Sequence, residues 1–170
     1  ALQRCLSWKG RGILITCVQA LLEPVPSPER MKRLGERVVT NKEYDLDALC
    51  ERLAVAGYEF EVEVLAKGQA SRRGGLLDVW PMTEDWPVRL EFFGDTLESI
   101  RRFDPREQRS LETIKDLSIP PATEEVEPAE AVPPTDYIPK AASFLWLDPE
   151  ALLHHFAMSA ELAGRKTPDT

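Results

Sequence analysis

The chain has 170 residues, of which 43% are hydrophobic, and its 29 acidic against 21 basic side chains give a formal net charge of −8. That is room for one medium domain or two small ones with a real core. The charge argues against a general binder of nucleic acid or anionic membrane, since phosphates reward net positive charge.

Residues 13–18, from Ile13 to Val18, form a continuous apolar run, the pattern of a strand buried on both faces. Such strands belong to parallel α/β sheets, and this one is expected to be a remnant of a neighbouring domain. Pro24, Pro26 and Pro28 then break the chain and place a boundary near residues 27–34. Val38-Val39 is a short strand. Residues 45–56 make an amphipathic helix, with Asp45 as cap and Leu46, Leu49, Cys50 and Leu53 as its stripe. Gly57 ends it. Strict alternation over 58–64 predicts a strand with three glutamates out and four apolar groups in. Residues 67–71 read as a polar connection and 76–80 as a strand stopped by Pro81.

Residues 86–103 read as a hairpin. Alternation puts Val88, Leu90 and Phe92 on a core face and Arg89, Glu91 and Phe93 on the other. Gly94-Asp95 is a two-residue turn with glycine first, as type II′ requires. Leu97, Ile100 and Phe103 give the return strand its apolar content. A weaker strand covers 111–119. Residues 124–139 are acidic and proline-rich and read as a linker. Residues 143–147 are a short apolar strand. Asp148-Pro149-Glu150 starts a helix to about Leu162, and 164–170 look frayed. The expected architecture is α+β: a mainly antiparallel sheet with a packed helix, flanked by strand and helix remnants of a neighbouring α/β domain. The expected segments are 1–33, 34–122 for the α+β domain, 123–142 for the linker, and 143–170 returning to the neighbour.

Cys5, Cys17 and Cys50 are odd in number and lack metal-ligand spacing, which fits a reducing, cytoplasmic compartment. No run reaches membrane-span length and no secretory signal is apparent. The chain starts at Ala1 in mid-pattern, so it is read as a piece of a longer protein. No phosphate-binding glycine motif is present, and the context of Gly74-Gly75 points to a bend or close backbone approach. His154 and His155 are adjacent on a helix and point apart. Asp78, Glu91 and Asp95 are better explained as partners of arginines than as metal ligands. Neither a cofactor nor a metal is expected. Arg73, Arg89 and Phe93 have the composition of an interface anchor, with Arg72 and Glu91 as neighbours. The residues alone leave open whether Phe93 instead packs under a loop while the arginines pair with Glu91 or Asp78. Residues 67–109 hold eight acidic and eight basic side chains, so the bulk charge says little about this region. A second reading is direct nucleic-acid binding through Arg72, Arg73, Arg89, Arg101 and Arg102. A third, a metal-dependent hydrolase, needs a carboxylate cluster that chelator-sensitive activity would reveal.

The stretch RRGGLLDVWPMTEDWPVRLEFFGDTLESIRRFDPREQRS resembles the amino-terminal region of bacterial transcription-repair coupling factors (Mfd). It is similar also to UvrB, which diverges in the loop and after the hairpin. The likeness is strong over roughly residues 70–122, looser over residues 11–26 and 45–57, and general beyond. It implies a non-catalytic UvrA-binding module of a factor whose ATP-driven motor, RNA polymerase contact and DNA contact lie elsewhere. In that family the UvrA contact is carried by an arginine before the GG strand, the arginine of the PVR strand and the second phenylalanine of EFFGD. These correspond to Arg73, Arg89 and Phe93. Arg72 doubles the first arginine, so either of the pair could make the contact, and Trp80 and Trp86 are bulkier than the pattern.

Overall fold

Helix α3 is where side-chain spacing most directly dictates local structure, and the elements leading to it are short. They are α1 (Val18–Leu22), β1 (Val25–Pro26), α2 (Pro28–Leu34) and β2 (Glu36–Val39), followed by α3 (Leu46–Val55). Asp45 caps α3 by accepting a hydrogen bond from the Ala48 amide at 3.0 Å. Leu46, Leu49 and Leu53 are buried along one stripe. Seven strands follow: β3 (Glu59–Phe60), β4 (Gln69–Arg73), β5 (Leu76–Val79), β6 (Val88–Phe93), β7 (Thr96–Phe103), β8 (Ser110–Ile114) and β9 (Asp116–Ile119). The chain closes with β10 (Ala131–Val132) and α4 (Pro149–Leu162). This computed structural model describes residues 11–123, 126 and 128–162, with positions 2 and 5. The tail expected to fray, 164–170, lies outside the described residues, as do Glu124, Glu125 and Glu127 of the acidic stretch.

The chain divides into two units, one of Glu29–Glu124 and one joining Ala1–Pro28 to Glu125–Thr170. In the first, six strands run in the order β3-β4-β5-β6-β7-β8, antiparallel except for the parallel pair β3–β4. The stripe of α3 packs on one face, against Ala70, Leu77, Val79, Val88, Leu90, Leu97 and Ile100. The antiparallel pair β2–β9 adds Val38, Leu117 and Ile119 to the same core. The α+β architecture with a mainly antiparallel sheet is thus the observed one.

Several local expectations are corrected. Over 58–64 the ladder holds only Glu59–Phe60, and Val62 is 84% exposed while Tyr58 and Val64 are buried. This segment is a sheet edge with a neighbour on one side only. Ser71 Oγ donates to the Val62 carbonyl at 2.8 Å, and Gln69 Oε1 accepts from the Leu65 and Ala66 amides. Side chains of β4 therefore fold the loop back where ladder bonds would have extended the strand. Conversely, 69–73 is a strand and not a polar connection: β5 pairs with its backbone, and Arg72 and Arg73 find carboxylates on Asp47 of α3 and Asp78 of β5. The strand read over 111–119 is two strands in different sheets, with the Lys115 carbonyl turned to the Thr40 amide.

In the second unit, α1 lies against α4, and β1 pairs with β10. Tyr137 is buried and donates its hydroxyl to the Pro26 carbonyl at 2.5 Å. The stretch read as a linker therefore contributes a strand and a buried tyrosine. Residues 13–18 are not a strand: Ile13 is 87% exposed, and Val18 already opens α1. Residues 143–147 are not a strand either, and Leu145 and Leu147 are exposed. Neither segment has a β neighbour among the described residues, and an extended chain without one gains no ladder bonds. Asp148 caps α4, accepting from the Ala151 amide at 3.1 Å.

Candidate functional site

The sheet face opposite α3 is polar, and the register explains which residues meet there. Cross-strand pairs align Ser71, Asp78, Arg89, Arg101 and Thr113 in one row over five strands. The next row, nearer the hairpin loops, aligns Arg73, Leu76, Glu91 and Ser99. Because side chains alternate along each strand, all of these share one face.

Two tight loops close this end of the sheet. Arg73 pairs with Leu76 across Gly74-Gly75, and Phe93 with Thr96 across Gly94-Asp95. Gly94 has φ +58 and Asp95 has no positive φ, which is the type II′ pattern. At Gly75 a side chain would come within 2.7 Å of the Phe92 carbonyl oxygen, so β6 can approach only because that residue is glycine. The Tyr44 amide donates to Asp95, and Leu97 exchanges bonds with Asn41 and Lys42. The tip of the β6–β7 hairpin is thereby braced from its far side.

Alternation along β6 survives intact, since the irregularity beside Glu91/Phe92 inserts Glu98 into β7. Val88 and Leu90 are fully buried and Phe92 packs on the core. Phe93 points the other way and is 77% exposed. An aromatic ring in water beside a strand end held this firmly has no internal packing reason to be there.

The arginines are held by carboxylates. Asp78 is only 3% exposed although it lies on the polar face. Arg89 donates to both of its oxygens, from Nε and Nη2 at 2.7 Å each, and Arg73 Nη2 adds a third bond at 3.2 Å. The Arg89 guanidinium also lies 4.7 Å over the Phe103 ring, and its Nη2 donates to Gln108 at 3.1 Å. Hydrogen bonding to Asp78 is the main reason that its pKa is raised further. Glu91 is paired with Arg101 and accepts from Ser99 Oγ at 2.5 Å. The Arg101 bond, more than the Ser99 bond, holds its carboxyl below the usual range. Arg72 belongs to the opposite row, with Leu77, Leu90 and Ile100, and pairs with Asp47 of α3. Of the doubled arginines, Arg73 is therefore the one sharing a face with Arg89 and Phe93.

Two participants escaped the sequence reading. Phe103 had been grouped with Leu97 and Ile100, yet a three-residue step from Ile100 along an unbroken strand changes face, and that parity was the available signal. Gln108 lies in the β7–β8 loop and carried no pattern at all. At the other end of the sheet, Trp80 and Trp86 line a cleft of about 290 Å³ with Asp104, Pro105 and Arg106. Among the described residues, no group of His, Cys, Asp or Glu has the arrangement of a metal site, and no helix is long and apolar enough to cross a membrane.

The chain is 44% identical over 111 residues to a transcription-repair-coupling factor of Myxococcus xanthus, covering 65% of this chain and 9% of that protein. It is 37% identical over 112 residues to the factor of Bacillus subtilis, covering 66% and 10%. It is 38% identical over 123 residues to UvrABC system protein B of Thermosynechococcus vestitus, covering 72% and 18%. The chain thus spans less than a fifth of the length of these relatives. A family model described as the UvrB interaction domain matches residues 37–124, the stretch that holds the six-stranded sheet, α3 and the polar face. This chain belongs to the UvrB interaction domain family.

Proposed function

We propose that the chain is a non-catalytic docking module through which a cytoplasmic, transcription-coupled DNA repair factor recruits UvrA. Phe93 is the central contact, and Arg73 and Arg89 flank it. The observation that carries this reading is the exposure of the Phe93 ring at the braced tip of a hairpin, on the sheet face that also carries Arg73 and Arg89. Aromatic and arginine side chains of this kind dominate binding energy at interfaces, and a phenylalanine on a braced backbone has only two side-chain torsions to order when gripped. The motor activity of the factor and its contacts with RNA polymerase and DNA are assigned to parts of the longer protein outside this chain.

The test is a calorimetric titration of the 170-residue chain against UvrA. Phe93→Ala and Arg73→Ala should each weaken binding by about 1–3 kcal/mol, the range of hot-spot truncations. The melting temperature of each variant should stay close to that of the parent. Parental affinity in both variants would overturn the assignment.

A further inference from the structure

We propose that Asp78 is the positioning residue of the docking face, setting the spacing and orientation of both Arg73 and Arg89. The proposal rests on the reading of this face as the UvrA contact. Asp78 sits on β5, between the strands that carry the two arginines, and its register partners are Ser71 and Arg89. Among the described residues, it is one of two polar residues that are buried, with Ser71, and the charged one. Among the described residues, its carboxylate makes no bond to the core, and the three hydrogen bonds it accepts come from the two arginines proposed to meet the partner.

The geometry leaves each arginine a distinct outward edge. Arg89 turns Nε and Nη2 to Asp78, rests on Phe103 and shares Nη2 with Gln108. Its Nη1 has no hydrogen-bond partner among the described residues. Arg73 touches Asp78 through Nη2 alone, and its side chain is half exposed. One carboxylate opposes two guanidiniums, so the pair keeps net positive charge while losing rotational freedom. A partner then meets donors already aimed, which lowers the ordering cost of binding. A neutral amide at this position accepts through one oxygen only and cannot hold the fork of Arg89 and the tip of Arg73 together.

The experiment is a binding cycle with UvrA on the full chain, each variant being checked for fold by thermal melting. Asp78→Asn should lower affinity at least about tenfold. Because it acts through the arginines, it should add almost nothing in an Arg73→Ala/Arg89→Ala background, while adding its full loss to Phe93→Ala. An equal loss in every background would overturn the proposal, since the effect would then be on the fold at large. Parental affinity of a folded Asp78→Asn would overturn it as well, leaving the docking reading in place. If the parent chain itself fails to bind UvrA, the docking reading falls and takes this proposal with it. Should Asp78→Asn not fold, Asp78→Glu replaces it: the charge stays and the carboxylate moves outward by one methylene. A loss of about tenfold at an unchanged melting temperature then supports positioning, and parental affinity rejects it.

Discussion

Arg89 and Phe93 are four residues apart on one strand, yet they differ in what the fold asks of them. Phe93 supports nothing, so Phe93→Ala should change stability by no more than about 0.5 kcal/mol, as surface changes do. Arg89 is half of a pair with a carboxylate that is almost wholly buried. Removing it leaves that charge with the single 3.2 Å bond from Arg73, and breaking such a buried pair by one partner costs about 3 kcal/mol. Urea denaturation of the two variants should separate them by that margin, and equal midpoints would mean that Asp78 finds water easily. Arg89→Ala is therefore a poor probe of binding alone, which its position in an exposed-face pattern did not reveal. Glu91 gives a pH signature. Its pKa is lowered in the folded chain by Arg101 and then by Ser99. Its contribution is thus fully present above the unfolded value near 4.5 and is lost as pH falls through the lower folded value. Stability measured from pH 7 down to about pH 3 should fall less steeply in Glu91→Gln than in the parent. Parallel curves would show that Arg101 and Ser99 do not hold the carboxylate in solution.

At the scale of elements, alternation was legible in β6, which has a strand on each side and one wholly apolar face. In β6 every side chain from Val88 to Phe93 lies on the face that the pattern assigns. The same pattern over 58–64 failed because an edge segment can leave the ladder once side chains such as Ser71 and Gln69 take its backbone groups. Apolar runs at 13–18 and 143–147 failed for a related reason: hydrophobicity shows that a segment needs a partner and not that one is beside it. Strand β4 was missed since its sequence, Gln69 to Arg73, is polar, and its polar groups are satisfied only by tertiary neighbours. The two tight loops were readable from their glycines, together with the close backbone approach at Gly75 and the positive φ of the turn at Gly94. Gly75→Ala drives a methyl group against the backbone of β6, which no rotamer change can relieve. Gly94→Ala meets nothing within 4 Å and pays only for its positive φ, about 1–2 kcal/mol. Denaturation should therefore rank Gly75→Ala as the more damaging of the two, and the reverse order would place the loops differently from the structure described above.

For the whole molecule, the question is whether five arginines make a surface for nucleic acid. A phosphate backbone rewards cations that lie along one stripe and are free to give up only counterions. Here they are neither. Arg72 and Arg102 belong to rows of the helix-side face, whereas Arg73, Arg89 and Arg101 belong to the opposite one. Each is also engaged by a carboxylate: Arg72 by Asp47, Arg73 and Arg89 by Asp78, Arg101 by Glu91, and Arg102 by Glu84 and Glu112. A phosphate would have to displace those partners against a net charge of −8. A protein partner faces no such competition, because it needs only the outward edge of each guanidinium and the open ring of Phe93. Fluorescence anisotropy at about 0.15 M salt should accordingly show no saturable binding of duplex DNA to the chain. As salt is raised above that concentration, UvrA binding should weaken only modestly, since the apolar ring is unscreened and Asp78 leaves Arg73 and Arg89 a single net positive charge between them. Tight DNA binding whose affinity falls steeply with salt, by several phosphates' worth of released counterions, would overturn this and make the arginines the primary site.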